Sequence, residues 1–457
     1  MELVEKATQY MRDNASKVDP AYRSLYHIEP TVGWMNDPNG LIFLDGEFHL
    51  FYQANPYSAK NENMAWGHFI TKDFIHYEET DFALYPNGKD ESGCFSGSAF
   101  VEDGKMKLVY TRHLDLENGI KETQYLCNTE DKIHFEVEDQ PCVDVNELPE
   151  NISRSDFRDP QIFFKNGVCY LIIGGHDDKE RGVFIVYSGK NSGDLHYSFY
   201  FGPYENTKMM VECPAFIEVD GKDVIIYSSY GVERKNGQMN FTHESYYIMG
   251  KFLGEEKAFH VEAEGLLDCG DAFYAPRTIE NYETPTMIGW MENWYPAYRT
   301  AVFGHNWVGS FSFPRVMKIR DGKLAQELHP NLLPLLGRHK KISQKGNIKF
   351  HSFNEFSFKG DFLLTLRGQN GRLKIYSKDR RIYLDALRSN NLHENVFRST
   401  GKYSSGKISF LLDTSSIELF INDGEETIST RYYLHGLSFA VTEKRCMDFV
   451  SRKIEVK

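Results

Sequence analysis

Apolar stretches in this chain recur in pairs around short polar turns. Ala99-Phe100-Val101 and Lys107-Leu108-Val109-Tyr110 flank Asp103-Gly104, and the same strand, turn, strand pattern surrounds Leu44-Asp45-Gly46-Glu47, Lys165-Asn166-Gly167 and Asp220-Gly221-Lys222. Apolar runs bounded by Asp-Gly or Asn-Gly read as hairpins. The turn glycines Gly46, Gly104, Gly167 and Gly221 are 58, 63 and 54 residues apart. A looser fifth unit runs from Phe273-Tyr274-Ala275-Pro276 through a turn around Asn281-Tyr282 to Thr286-Met287-Ile288-Gly289-Trp290. Hairpins at such a period predict the blades of a β-propeller. Outer strands must come from the residues between repeats, with Leu126 to Val137 and Gly182 to Ser188 as candidates.

The texture changes near Gln326-Glu327-Leu328-His329-Pro330-Asn331-Leu332-Leu333-Pro334, where two prolines and the loss of alternation predict a connector. Short alternating strands follow: Phe356 to Phe358, Phe362 to Leu366, Lys374 to Tyr376, Arg381 to Leu384, Lys407 to Leu412, Ile417 to Ile421 and Thr427 to Arg431. Their spacing and turns such as Asn422-Asp423-Gly424 predict a β-sandwich. At the other end, Leu3, Ala7, Tyr10 and Met11 fall on one face of a short helix. The expected organisation is all-β: a helical extension over 1–26, a propeller over 27–325, a linker over 326–345 and a sandwich over 346–457.

Composition changes this picture little. At 457 residues the chain has room for a large domain and a small one, and 41% hydrophobic with 26% charged residues suits a globular protein. The net charge of −13 argues against nucleic acid as a partner but leaves room for an anionic small substrate beside local basic residues. No apolar run reaches 18 residues, so no membrane-spanning helix is expected, and the acidic start Met1-Glu2-Leu3-Val4-Glu5-Lys6 does not read as a secretory signal. Seven scattered cysteines without a C-x-x-C pair read as reduced thiols in a cytoplasmic protein.

The candidate chemistry lies in the phase of the repeat. Asp37 in Trp34-Met35-Asn36-Asp37-Pro38-Asn39-Gly40 is nine residues before its turn glycine, Asp159 in Phe157-Arg158-Asp159-Pro160 is eight before, and Glu212 in Val211-Glu212-Cys213-Pro214 is nine before. Ser96 in Phe95-Ser96-Gly97-Ser98 holds the same phase. Units packed around an axis would bring the three carboxylates together at one end. Two carboxylates flanking a scissile bond are the requirement for glycoside hydrolysis. No zinc, P-loop or serine-hydrolase motif is present, so neither metal nor cofactor is expected.

These segments, together with Tyr52-Gln53, Asn55-Pro56, Trp66-Gly67-His68, Glu212-Cys213-Pro214, Phe273-Tyr274-Ala275 and Ile417 to Gly424, resemble glycoside hydrolase family 32, the β-fructofuranosidases, from about His27 to the end. The resemblance implies a five-bladed propeller followed by a C-terminal sandwich. It implies Asp37 as nucleophile, Glu212 as general acid and base, and Asp159 as transition-state stabiliser. Glu212 must then hold a proton near neutral pH, through burial or the charge of Asp37, and Arg158 can pair with a carboxylate. Asn36, Gln53, Phe95 and Ser96 would line the sugar site, with Trp66 and Trp294 as apolar walls and His68 and His76 as structural residues. The expected activity is retaining hydrolysis of sucrose or sucrose 6-phosphate. Fructo-oligosaccharide hydrolysis, fructosyl transfer and a non-catalytic fructan-binding propeller are the alternatives. The expected partner is a small sugar, with homo-oligomerisation open. Asn61, Ala215, Ala272 and Arg277 depart from the common family pattern, which places the doubt on the leaving-group side. Arg277 and Arg299 are the candidate phosphate contacts.

Overall fold

The computed structural model describes residues 2–235, 238–294, 298–343, 346–389, 396–436 and 438–456. The helix Glu2–Asn14 forms as expected, but it buries Ala7, Thr8 and Met11, while Leu3 and Tyr10 stay exposed at the margins. The buried stripe is thus narrower than the sequence face suggested, following the three- and four-residue spacing of a helix resting on one surface.

Five sheets of four or five strands follow, then two sheets of six. The innermost strands of the first five are Gly33–Leu44, Gly93–Glu102, Ile152–Lys165, Met210–Val219 and Tyr274–Thr278. Each touches the next, and the fifth touches the first, so the inner strands form a closed ring. Trp307–Val308, from late in this part of the chain, pairs in parallel with Gly33 and Trp34 and joins the first sheet. This stitch fixes the first sheet to the last segment of the ring.

The hairpin turns behave as their residues require. Asp45 and Gly46, Asp103 and Gly104, Asn166 and Gly167, and Asp220 and Gly221 all have positive φ at both positions. That is the backbone of a type I′ hairpin turn, which Asp or Asn before Gly adopts at low cost. The outer-strand expectation was half right. Gly182–Gly189 is the third strand of its sheet, but in the sheet before it the third strand is Gly119–Asn128, with Glu136–Val137 as the short outer edge. Gly119–Asn128 lacks the apolar density of a buried strand because one face looks to solvent.

The two six-stranded sheets pack face to face around Phe356, Phe410, Leu364, Ile375, Leu384, Leu419 and Phe449. Strands such as Ser352–Lys359 and Arg372–Lys378 alternate buried and half-buried positions, the period of two read from the sequence.

A buried ionic network joins this sandwich to the ring. Arg315 is fully buried and donates to Asp268 Oδ2 (2.9 Å), Glu418 Oε2 (2.7 Å) and Ser429 Oγ (2.7 Å). His27 bridges Asp413 Oδ2 (2.7 Å) and Glu418 Oε1 (2.9 Å). Burial opposes a charge on His27, but the hydrogen bonds to the two carboxylates outweigh it and lift the imidazole to about 9. Its contribution to stability is therefore complete below the ordinary histidine value of 6.5 and lost as pH rises through about 9. Wild-type unfolding free energy is expected to drop by roughly 3 kcal/mol between neutral pH and about pH 10. In His27→Gln that alkaline decline should flatten; denaturant titrations across this range would refute the assignment if both proteins declined equally.

Candidate active site

All five inner strands carry a register shift at the repeated phase: between Met35 and Pro38, between Phe95 and Gly97, opposite Ile172 to Gly174 where Asp159 lies, between Glu212 and Ala215, and between Tyr274 and Arg277. A bulge bends the strand and re-aims its side chains. Three residues at these bulges, Asp159 (φ +66°), Cys213 (φ +49°) and Ala275 (φ +46°), are left-handed although each directly precedes a proline. Residues in that setting favour extended backbone, so these positions are strained and must be held by their surroundings. Side chains from neighbouring strands do so. Asp159 N donates to Thr111 Oγ1 (2.9 Å), Cys213 N to Asp159 Oδ2 (3.0 Å) and Ala275 N to Ser228 Oγ (2.9 Å).

The bulges bring the three carboxylates to one end of the ring. The Cys213 thiol lies 3.8 Å from Asp37 Oδ2 and 3.6 Å from Asp159 Oδ2, so one sulfur touches both. Ser96 Oγ donates to Asp37 Oδ2 at 2.8 Å, while Asp37 Oδ1 is buried without a hydrogen-bond partner among the described residues. Glu212 accepts from Arg158 Nη2 at Oε1 (2.9 Å) and from Tyr274 Oη at Oε2 (2.5 Å). Arg158 also lies 3.2 Å from Asp156 and 3.5 Å from Glu122, which completes its ion pairing.

Burial, followed by the charge of Asp159, pushes the Asp37 carboxyl up to about 7, against the pull of the Ser96 hydrogen bond. Burial also raises Asp159, and the opposed charges of Arg158 and Glu212 leave it at about 6. Burial thus lifts both Asp37 and Asp159 above the ordinary carboxylate value. Both oxygens of Glu212 are engaged, one by Arg158 and the other by Tyr274.

The remaining expected lining residues divide. Asn36 accepts from Trp34 Nε1 (2.6 Å) and sits beside Asp37. Phe95 stacks on His113 at 4.0 Å and packs with Trp34 and Cys213. Trp294 stacks on Trp34 at 6.3 Å in that same cluster. Gln53 is buried and donates to Cys94 O (2.8 Å), so it ties the first sheet to the second inner strand. Trp66 is fully buried among Phe51, Ala99 and Tyr110, with its indole N–H on Phe95 O; it belongs to the core and not to a sugar-facing wall. Of the four departures, Asn61 is exposed, and the other three are placed differently from expectation. Ala215 lies in the core between two sheets, Ala272 N donates to Ser429 O of the sandwich, and Arg277 is 1% exposed on carbonyl oxygens beneath the carboxylates. Buried side chains of this kind cannot meet a leaving group, and Arg277 cannot meet a phosphate.

Sequence reasoning missed Tyr274 and Cys213 as functional neighbours. Both stand inside quoted motifs, but only the cross-ring contacts show that the tyrosine holds Glu212 and the thiol spans Asp37 and Asp159.

Comparison with known proteins identifies the family. The sequence model described as Glycosyl hydrolases family 32 N-terminal domain matches residues 27–328, and that described as Glycosyl hydrolases family 32 C terminal matches residues 339–455. A raffinose invertase of Escherichia coli is 30% identical over 446 residues, covering 90% of this chain and 89% of the relative. A sucrose-6-phosphate hydrolase of Bacillus subtilis is 28% identical, covering 91% and 89%. Among solved structures, a family 32 β-fructofuranosidase of Bombyx mori superposes with a TM-score of 0.86 at 25% identity, over 99% of this chain and 98% of that one. With both halves of the chain matched in order and the carboxylates gathered at one end of the ring, this protein belongs to glycosyl hydrolase family 32.

Proposed function

We propose that this protein is a retaining β-fructofuranosidase that hydrolyses sucrose or sucrose 6-phosphate in the cytoplasm. The observation that carries the reading is the single thiol touching both Asp37 and Asp159, beside a Glu212 held by Arg158 and Tyr274. The five sheets are read as propeller blades over 27–325, with a linker over 326–345 and a supporting sandwich over 346–457.

In this reading Asp37 Oδ1, the oxygen without a hydrogen-bond partner among the described residues, attacks the anomeric carbon of the fructosyl unit. Ser96 and Asn36 hold the attacking carboxylate, and Asp159 accepts hydrogen bonds from sugar hydroxyls as positive charge develops on the ring. Glu212 delivers a proton to the leaving oxygen and then takes one from the water that releases fructose. Tyr274 and Arg158 orient it for both steps. Phe95 and Trp294 supply apolar surface beside the ring. Arg299 remains the candidate phosphate contact, on the short helix that follows Tyr298, whose ring packs edge-on against Trp34.

Attack requires Asp37 ionised. The acid limb of kcat/KM should therefore titrate with apparent values between about 6 and about 7, which belong to the coupled Asp37 and Asp159 pair. Ser96→Ala removes a donor that favours the charged form and should move that limb to higher pH. An acid limb at the ordinary carboxylate value, unmoved by the substitution, would remove Asp37 from the nucleophile role.

The substrate is tested by steady-state hydrolysis of sucrose against sucrose 6-phosphate, with anomer detection by NMR at early times. Release of β-fructose with a higher kcat/KM for the phosphate supports the reading in full. Release of the opposite anomer would overturn retention. Poor rates on both disaccharides would direct the same assay to a fructo-oligosaccharide series.

A further inference from the structure

One cation in the ring does no visible recognition. Arg277 lies on the fifth inner strand, beneath the carboxylate cluster, and is 1% exposed. Its Nη1 donates to Pro214 O at 2.9 Å, and its Nη2 donates to Asp159 O at 3.2 Å. It thus reaches across the ring to two other inner strands. The two carbonyls belong to the two strained turns that matter most: left-handed Asp159 itself, and the Cys213-Pro214 bulge that follows Glu212. Thr111 holds the N–H of Asp159 on the opposite side, so its peptide planes are fixed at both ends. Below the guanidinium, Gln161 Nε2 and Thr278 Oγ1 both donate to Glu280 Oε1 at 2.7 Å, which gives the arginine a polar floor.

We propose that Arg277 is a positioning residue for fructoside hydrolysis, clamping from below the two strained turns that aim Asp159 and Glu212. The proposal rests on the proposed function, because the turns matter only if their carboxylates act on substrate. A strained backbone persists only while its surroundings over-determine it. A buried bidentate guanidinium on two carbonyls does that in a way that lysine, a point charge on a flexible stem, does not.

The clamp also carries charge. Asp159 faces Arg158 and Glu212 near the pocket, Cys213 and Asp37 across it, and Arg277 from beneath. Burial raises Asp159, and Arg277 is one of two arginines that draw it down. Loss of this cation therefore moves Asp159 upward and should carry the acid limb of the rate profile to higher pH.

The experiment compares wild type, Arg277→Lys and Arg277→Gln on sucrose and sucrose 6-phosphate, with full pH profiles and thermal melts. Wild-type turnover abolished by Glu212→Gln comes first; its absence would sink the functional reading and the clamp together. Given that activity, both variants should lose roughly ten- to hundredfold in kcat, the scale of a small misplacement of reacting groups, with a smaller change in KM. The acid limb should rise in Arg277→Gln and stay in place in Arg277→Lys. Unchanged kcat and pH profile in either folded variant, with only a lower Tm, would overturn the clamp and leave the functional reading intact. Selective loss on the phosphorylated sugar alone would also overturn it.

Discussion

Asp37→Asn is expected to lower kcat on any cleavable fructoside by about 10⁴-fold or more, the scale on which loss of a nucleophile acts. The asparagine keeps the size of the side chain and can still accept from Ser96, whose Oγ lies 2.8 Å from Oδ2 in the native protein. It cannot form the ester to the anomeric carbon. Substrate binding should therefore survive while turnover stops. The fold should gain slightly, because a carboxyl that burial has raised to about 7 costs stability when ionised above its ordinary value of 3.8, and the amide has no such cost. Single-turnover kinetics with mass analysis of the protein gives the decisive contrast. Glu212→Gln, on a substrate with a good leaving group, should accumulate a fructosyl adduct that Asp37→Asn never forms. An adduct in Asp37→Asn, or activity within tenfold of wild type, would assign the nucleophile elsewhere.

Arg315→Ala should cost about 3–5 kcal/mol of unfolding free energy, the range for breaking a buried ion pair from one side. The loss comes from what stays behind. Asp268 would be buried without a cation, Glu418 would keep only His27, Ser429 and Thr427 would lose an acceptor-matched donor, and Phe273 would lose the guanidinium 4.0 Å from its ring. Because the network ties Asp268 and Arg315 of the ring sheets to Glu418 of the sandwich, its failure should loosen the two against each other. Limited proteolysis near 329–345 should then become faster. Adding Asp268→Asn to Arg315→Ala should recover part of the loss, since the stranded charge is the main penalty. Strictly additive losses in denaturant unfolding would show that Arg315 acts through packing alone.

Much of the architecture was legible because its signals are local. Asp-Gly and Asn-Gly turns demand positive φ at both central residues, and alternation with a period of two marks each half-exposed strand, so hairpins and sandwich strands could be placed from short windows. The phase of Asp37, Asp159 and Glu212 relative to those turns was equally local, and it located the carboxylates at one end of a repeated unit. Gly119–Asn128 escaped because its outward face is polar, which lowers the only signal available for an outer strand. The strands Ser438–Lys444 and Met447–Lys453 also escaped, since Arg445-Cys446 between them offers no glycine to announce a turn.

The sequence by itself determined the hairpins, the repeat, the class of chemistry and the family. Tertiary structure alone decided which side chains meet. That Arg158 pairs with Glu212, that Cys213 spans Asp37 and Asp159, that Trp66 turns into the core and that Arg277 passes beneath the site are facts about partners 54, 176 and 118 residues apart. The physical reason is ring closure. Five bulged strands converge on one axis, Trp307–Val308 stitches the last segment to the first sheet, and each bulge turns a side chain by an amount that no short window of sequence records.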